Sequence, residues 1–118
     1  MKPVLKEIYS LEIDESLENY IPEEEDNFEI VVRLMIGSED NDSADSYDIT
    51  ICTPKWIQAR CDYENIIWGK NLLIVCKYDY SMILNGIKDK IYHIQGNKWH
   101  DIAIQISRLA EWEYEGYH

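Results

Sequence analysis

The alternation of apolar and polar positions is sharpest between residues 28 and 36. Phe28, Ile30, Val32, Leu34 and Ile36 fall on one side of a period-two pattern, and Glu29, Val31, Arg33 and Met35 fall on the other. That pattern predicts a strand with one drier and one wetter face. Tyr47 to Cys52 alternates again, Tyr47, Ile49 and Ile51 against Asp48, Thr50 and Cys52. The loop from Gly37 to Ser46 between them predicts an antiparallel hairpin. Val4 to Tyr9 predicts an earlier strand. Leu72 to Tyr78, apolar on both faces, predicts a central, covered one.

Elsewhere the period changes to that of a helix. Tyr80, Ile83, Leu84, Ile87, Ile91 and Ile94 form one stripe, opposite Asn85, Lys88, Asp89, Tyr92 and Gln95, as an amphipathic helix on a sheet requires. Gly96 is expected to stop it, and Asn97 to cap a second helix whose buried stripe is Trp99, Ile102, Ala103, Ile106 and Leu109. Thr53-Pro54 predicts another helix start, a capping hydroxyl followed by a proline at the first helical position. That helix is expected to reach about Cys61 and to bury Trp56 and Ile57. Trp112 and Tyr114 alternate with Glu111, Glu113 and Glu115 as a final short strand. The order β-β-β-α-β-α-α-β implies one α+β domain over residues 1–118. Its sheet is mostly antiparallel, of about five strands, with about three helices packed on one face.

The chain's 118 residues suit one domain, with a radius of gyration of about 13–14 Å. The longest unbroken apolar run, Leu72 to Cys76, is too short to span a bilayer. Lys6-Glu7 follows Val4-Leu5 at once, which argues against a signal-peptide core. Cys52, Cys61 and Cys76 are odd in number and form no paired motif, so buried thiols in a reducing cytoplasm are expected rather than a disulfide framework. Cys61 lies in a polar stretch and is the one open to exposure.

Charge changes the picture most. There are 23 acidic residues against 11 lysines and arginines, a formal net charge of −12. Residues 12 to 48 hold fourteen of the acids and only one base, Arg33, so this part stands at −13 and the remainder at +1. Nucleic acid and anionic membranes are repelled by such a field, whereas a basic protein surface is attracted. Acidity can also serve solubility alone.

Catalytic and metal patterns do not emerge. There is no nucleophile elbow, zinc-protease helix motif, Walker loop or dinucleotide fingerprint. His93, His100 and His118 lack ligand spacing. His100 and Asp101 are helical neighbours about 100° apart, which is no base–orienter pair. A calcium loop begun at Asp40 fails at Ala44, Asp45 and Ile51. No catalytic residue, cofactor or metal is therefore assigned. The expected site is a partner surface made of Glu23, Glu24, Glu25, Asp26, Glu39, Asp40, Asp42, Asp45 and Asp48, with Tyr20 and Tyr47 as amphipathic anchors. Tyr63, Tyr114 and Tyr117 are further aromatic candidates near acidic stretches.

An ordered set of segments carries a resemblance. They are Met1-Lys2-Pro3-Val4-Leu5-Lys6, Leu17-Glu18-Asn19-Tyr20 to Pro22, and Asn27-Phe28 to Gly37. They continue with Cys52-Thr53-Pro54-Lys55-Trp56, Ile66-Ile67-Trp68-Gly69-Lys70, Tyr78-Asp79-Tyr80 and Trp112-Glu113-Tyr114-Glu115-Gly116-Tyr117. Together they resemble the Immunity protein 8 family of bacterial polymorphic-toxin systems. The resemblance implies a small cytoplasmic α+β protein, not an enzyme, that binds a cognate toxin's C-terminal domain and protects the producing cell. It brings no catalytic residue with it. Against a nuclease toxin the carboxylates would stand in for phosphates; a steric plug or remote binding would protect equally well. Two other classes stay open on the residues alone: an acidic adaptor without a toxin partner, and a small carboxylate-dependent metal-binding enzyme.

Overall fold

A computed structural model of the chain describes residues 1–114. Its elements are β1 (Pro3–Tyr9), β2 (Glu29–Ser38), β3 (Asp45–Cys52), α1 (Pro54–Glu64), β4 (Leu72–Ile74), α2 (Tyr80–Tyr92), α3 (Trp99–Ser107) and β5 (Glu111–Trp112). This is the order that the hydrophobic pattern predicts. Glu115, Tyr117 and His118 lie outside the described residues.

The sheet runs β1-β2-β3-β4, with β5 also on β3. β1 pairs antiparallel with β2, and β2 with β3 from Glu29↔Cys52 to Ile36↔Asp45. β4 lies parallel to β3 along Thr50–Cys52, and β5 antiparallel to it at Tyr47–Asp48. Two short strands thus share one edge of β3. The parallel pairing follows from the long β3–α1–β4 connection, since a crossover of that length can return the chain in the same direction.

The even positions of β2 and the odd positions of β3 face the helices. Ile30, Val32, Leu34, Ile36, Tyr47, Ile49 and Ile51 form one core with Ile83, Ile87, Ile91 and Ile94 from and just after α2, and Ile102 and Ile106 from α3. Each buried aliphatic side chain of this set stabilises the fold by roughly 1.5–3 kcal/mol relative to exposure.

α1 behaves differently, because it has no buried residue. Trp56 and Ile57, expected inside, are half-buried. Thr53 caps the helix, its Oγ1 accepting from Trp56 N at 3.4 Å and from Phe28 N at 3.2 Å. Arg60 extends to Glu29 at 4.0 Å, on the face of β2 opposite Ile30, and lies 5.3 Å from the Trp56 ring. α2 and α3 cover the core, while α1 is tied on by its cap and its charges.

Three local expectations change. Leu72 to Tyr78 is not a central strand: only three residues pair, and Ile74 at the outer edge is 55% exposed. Tyr78 instead leaves the sheet and packs edge-on against Tyr20 and Phe28, with centroids at 5.3 and 5.4 Å. Lys98, not Asn97, is the N-cap of α3, and it makes no side-chain capping bond. Of the thiols only Cys52 is buried; Cys61 is half-buried and Cys76 exposed. No helix among the described residues is long and apolar enough to cross a membrane. The radius of gyration is 15.0 Å and the extents 43 × 32 × 24 Å, longer in one direction than a compact sphere of this length.

Candidate partner-binding surface

The run Glu23–Asp26 lies in the turn that leads into β2. All four side chains are exposed, behind a buried Pro22. Asn27 N donates to Glu24 O at 3.3 Å and Asn27 Nδ2 to Glu24 Oε2 at 3.0 Å. Asp26 meets Lys55 at 3.4 Å. The turn is also fixed from behind: Tyr78 N donates to Glu25 O at 2.7 Å, and Tyr78 Oη to Leu17 O at 2.6 Å. Burial pushes the Tyr78 phenol up to about 12, helped by the neighbouring Tyr20. Tyr20, expected as an anchor, is half-buried against Tyr78, so only part of its surface is open to a partner.

Glu39, Asp40 and Asp42 are exposed on the loop after β2. Lys6 Nζ donates to the carbonyls of Asn41 and Ser43. Gly37 is required under this loop, because a Cβ there would collide with the Ser43 carbonyl. β2 separates the two acidic groups by its full ten residues, which is about 30 Å at strand rise. They are two patches rather than one.

The remaining predicted residues are committed to the fold. Tyr47 cannot serve as an anchor: it is fully buried, because its position in β3 faces the helices. Its hydroxyl meets no full hydrogen-bond geometry among the described residues, although the Asp45 carboxylate is near enough to act on it. Burial above all, with the charges of Asp45 and Glu113, holds its proton far more tightly than usual. Asp45 Oδ2 accepts both indole N–H groups, from Trp99 at 2.8 Å and from Trp112 at 3.2 Å. Asp48 forms a two-pronged pair with Arg33 at 2.9 and 3.0 Å, and that hydrogen bonding holds the Arg33 proton more firmly than usual. Glu29, one residue from the same face, has its carboxyl raised by burial and then by Glu12, with Arg60 opposing.

Apart from Tyr63, what the hydrophobic pattern did not reveal is apolar. Tyr63 near the end of α1, and Ile66 and Trp68 between α1 and β4, are 88, 71 and 89% exposed. A cavity of about 310 Å³ lies between the sheet and α2–α3, lined by aliphatic side chains together with Gly86 and Lys90. The available signal was Gly86 itself, a helix-weakening residue inside the strongest helical stripe. Among the described residues no group of three or more His, Cys, Asp or Glu side chains could hold a metal ion.

No curated protein and no solved structure matches the chain. The family model described as Immunity protein 8 matches residues 4–117. With nearly its whole length inside that match and an α+β architecture in place, the chain belongs to the Immunity protein 8 family.

Proposed function

We propose that this immunity protein neutralises its toxin by stoichiometric capture in the cytoplasm of the producing cell, and that the turn Glu23–Asp26 draws in and holds a basic surface of the toxin's C-terminal domain. The carrying observation is the presentation of that turn. Four carboxylates stand exposed on a backbone pinned by the 2.7 Å bond from Tyr78 N to Glu25 O, and only Asp26 has an ion-pair partner among the described residues. Fixed charges of one sign speed encounter and disfavour wrong partners at little ordering cost. The Glu39–Asp42 loop adds to the long-range field but lies about 30 Å away along β2, so an interface of ordinary size, about 800 Å² per partner, that is centred on the turn reaches it at most at its rim.

The test is association kinetics with the toxin domain, together with survival of cells that express it. Replacing Glu23, Glu24 and Glu25 with lysine should slow association at least tenfold at low salt and flatten its salt dependence. The same reversal at Glu39, Asp40 and Asp42 should have the smaller effect. Equal on-rates for wild type and the first variant, at both low and high salt, would remove the surface assignment. Failure of the wild type to protect would remove the capture reading itself.

A further inference from the structure

α2 carries two stripes side by side. Ile83, Ile87 and Ile91 are buried. Met82, Gly86 and Lys90, each one turn from the next, are exposed. The apolar cavity lies beside the second stripe. Leu34, Ile36, Ile49, Leu72 and Leu109 line it, and its exposed lining residues are Gly86 and Lys90.

Glycine is the poorest helix former after proline, and packing does not require one here. A Cβ at position 86 would meet no atom within 4 Å. The missing side chain leaves the cavity mouth open and lets another backbone approach α2 closely. The surroundings say what kind of backbone. Tyr78 N binds Glu25 O, so the acidic turn abuts the start of α2. Gly86 follows Asp79 by seven residues, about 10 Å along the axis, and Lys90 comes one turn later. Along this line the order is negative, apolar, positive.

We propose that the cavity receives a large apolar side chain of the toxin, its backbone crossing α2 at Gly86, with cationic residues toward Glu23–Glu25 and a carboxylate toward Lys90. The assignment rests on the capture reading above. It adds an anchor that burial, rather than charge, would make strong.

The experiment uses the full chain and the C-terminal domain of the toxin encoded beside it. Gly86→Leu fills the mouth with a better helix former, so the variant should fold at least as stably as wild type. It should weaken toxin binding at least tenfold, chiefly by faster dissociation, and equally at low and high salt. Lys90→Glu should weaken it several-fold, with the loss shrinking as salt rises. Wild-type affinity in Gly86→Leu, together with slowed association in the Glu23–Glu25 reversal, would overturn the cavity assignment and leave capture standing. No toxin binding by wild type would overturn both. A wild-type dimer that Gly86→Leu dissolves would make the occupant a second copy of this chain and overturn the assignment to the toxin.

Discussion

Asp45 and Tyr47, two residues apart on β3, show how little a side chain's type says about its use. Both lie in the acidic region, yet one oxygen of Asp45 satisfies two indoles and Tyr47 lies wholly inside. Asp45→Ala leaves two part-buried N–H groups unpaired and should cost about 3 kcal/mol, read from urea unfolding. Tyr47→Phe removes a hydroxyl that meets no full hydrogen-bond geometry and has only the already shared Asp45 carboxylate near it, so its cost should stay within about 0.5 kcal/mol. A loss near that of Asp45→Ala would mean that the hydroxyl does bond. Tyr78 adds a pH dependence. Its phenol is raised to about 12, against about 10 in an unfolded chain. An acid that holds its proton more tightly when folded contributes stability that is complete below pH 10 and is lost as pH rises toward 12. Wild type should lose stability across that window, and Tyr78→Phe should lose less across it, although the variant starts lower for want of the bond to Leu17 O.

Elements were legible in proportion to how much one face is buried. β2 and β3 are readable because Ile30 to Ile36 and Tyr47 to Ile51 all enter one core, and α2 and α3 because their isoleucines recur every three or four residues. β4 was misread because a continuous apolar run looks the same in a buried strand and in a segment that leaves the sheet to pack one tyrosine. α1 was readable at its start, where Thr53 and Pro54 carry local chemistry. It was not readable in its packing, where Trp56 and Ile57 are only half-buried and Arg60 stands 4.0 Å from Glu29 across the chain. The acidic candidate surface is visible as composition, but its division into two patches depends on the length of β2, and the cavity depends on elements far apart in sequence. Since α1 buries nothing fully, hydrogen exchange should open its amides well before those of α2 under native conditions. Equal protection of the two helices would show that the cap and the ionic ties hold α1 as firmly as a core does.

For the whole molecule, the separation of charge is the property to test. Residues 12–48 stand at −13 within a total of −12, so this part of the chain, which carries both acidic patches, dominates the long-range field. Capture that depends on this field should associate more slowly as ionic strength rises from 10 to 300 mM, by about one order of magnitude or more. The dissociation rate should change far less over the same range if the contact is anchored by buried apolar surface. A dissociation rate as steep in salt as the association rate would place the holding energy in the carboxylates alone.

Gly86 has one more consequence. Any alanine or leucine there should make the helix more robust, by about 1 kcal/mol for alanine, so a heat-resistance screen would reach this position early. Such a screen would reward sealing the cavity mouth and would discard variants in protective strength without measuring it. Selection for survival against the toxin would push the other way. Sorting one mutant library under both pressures should enrich position 86 in opposite directions, a signature that a position serving stability alone does not leave.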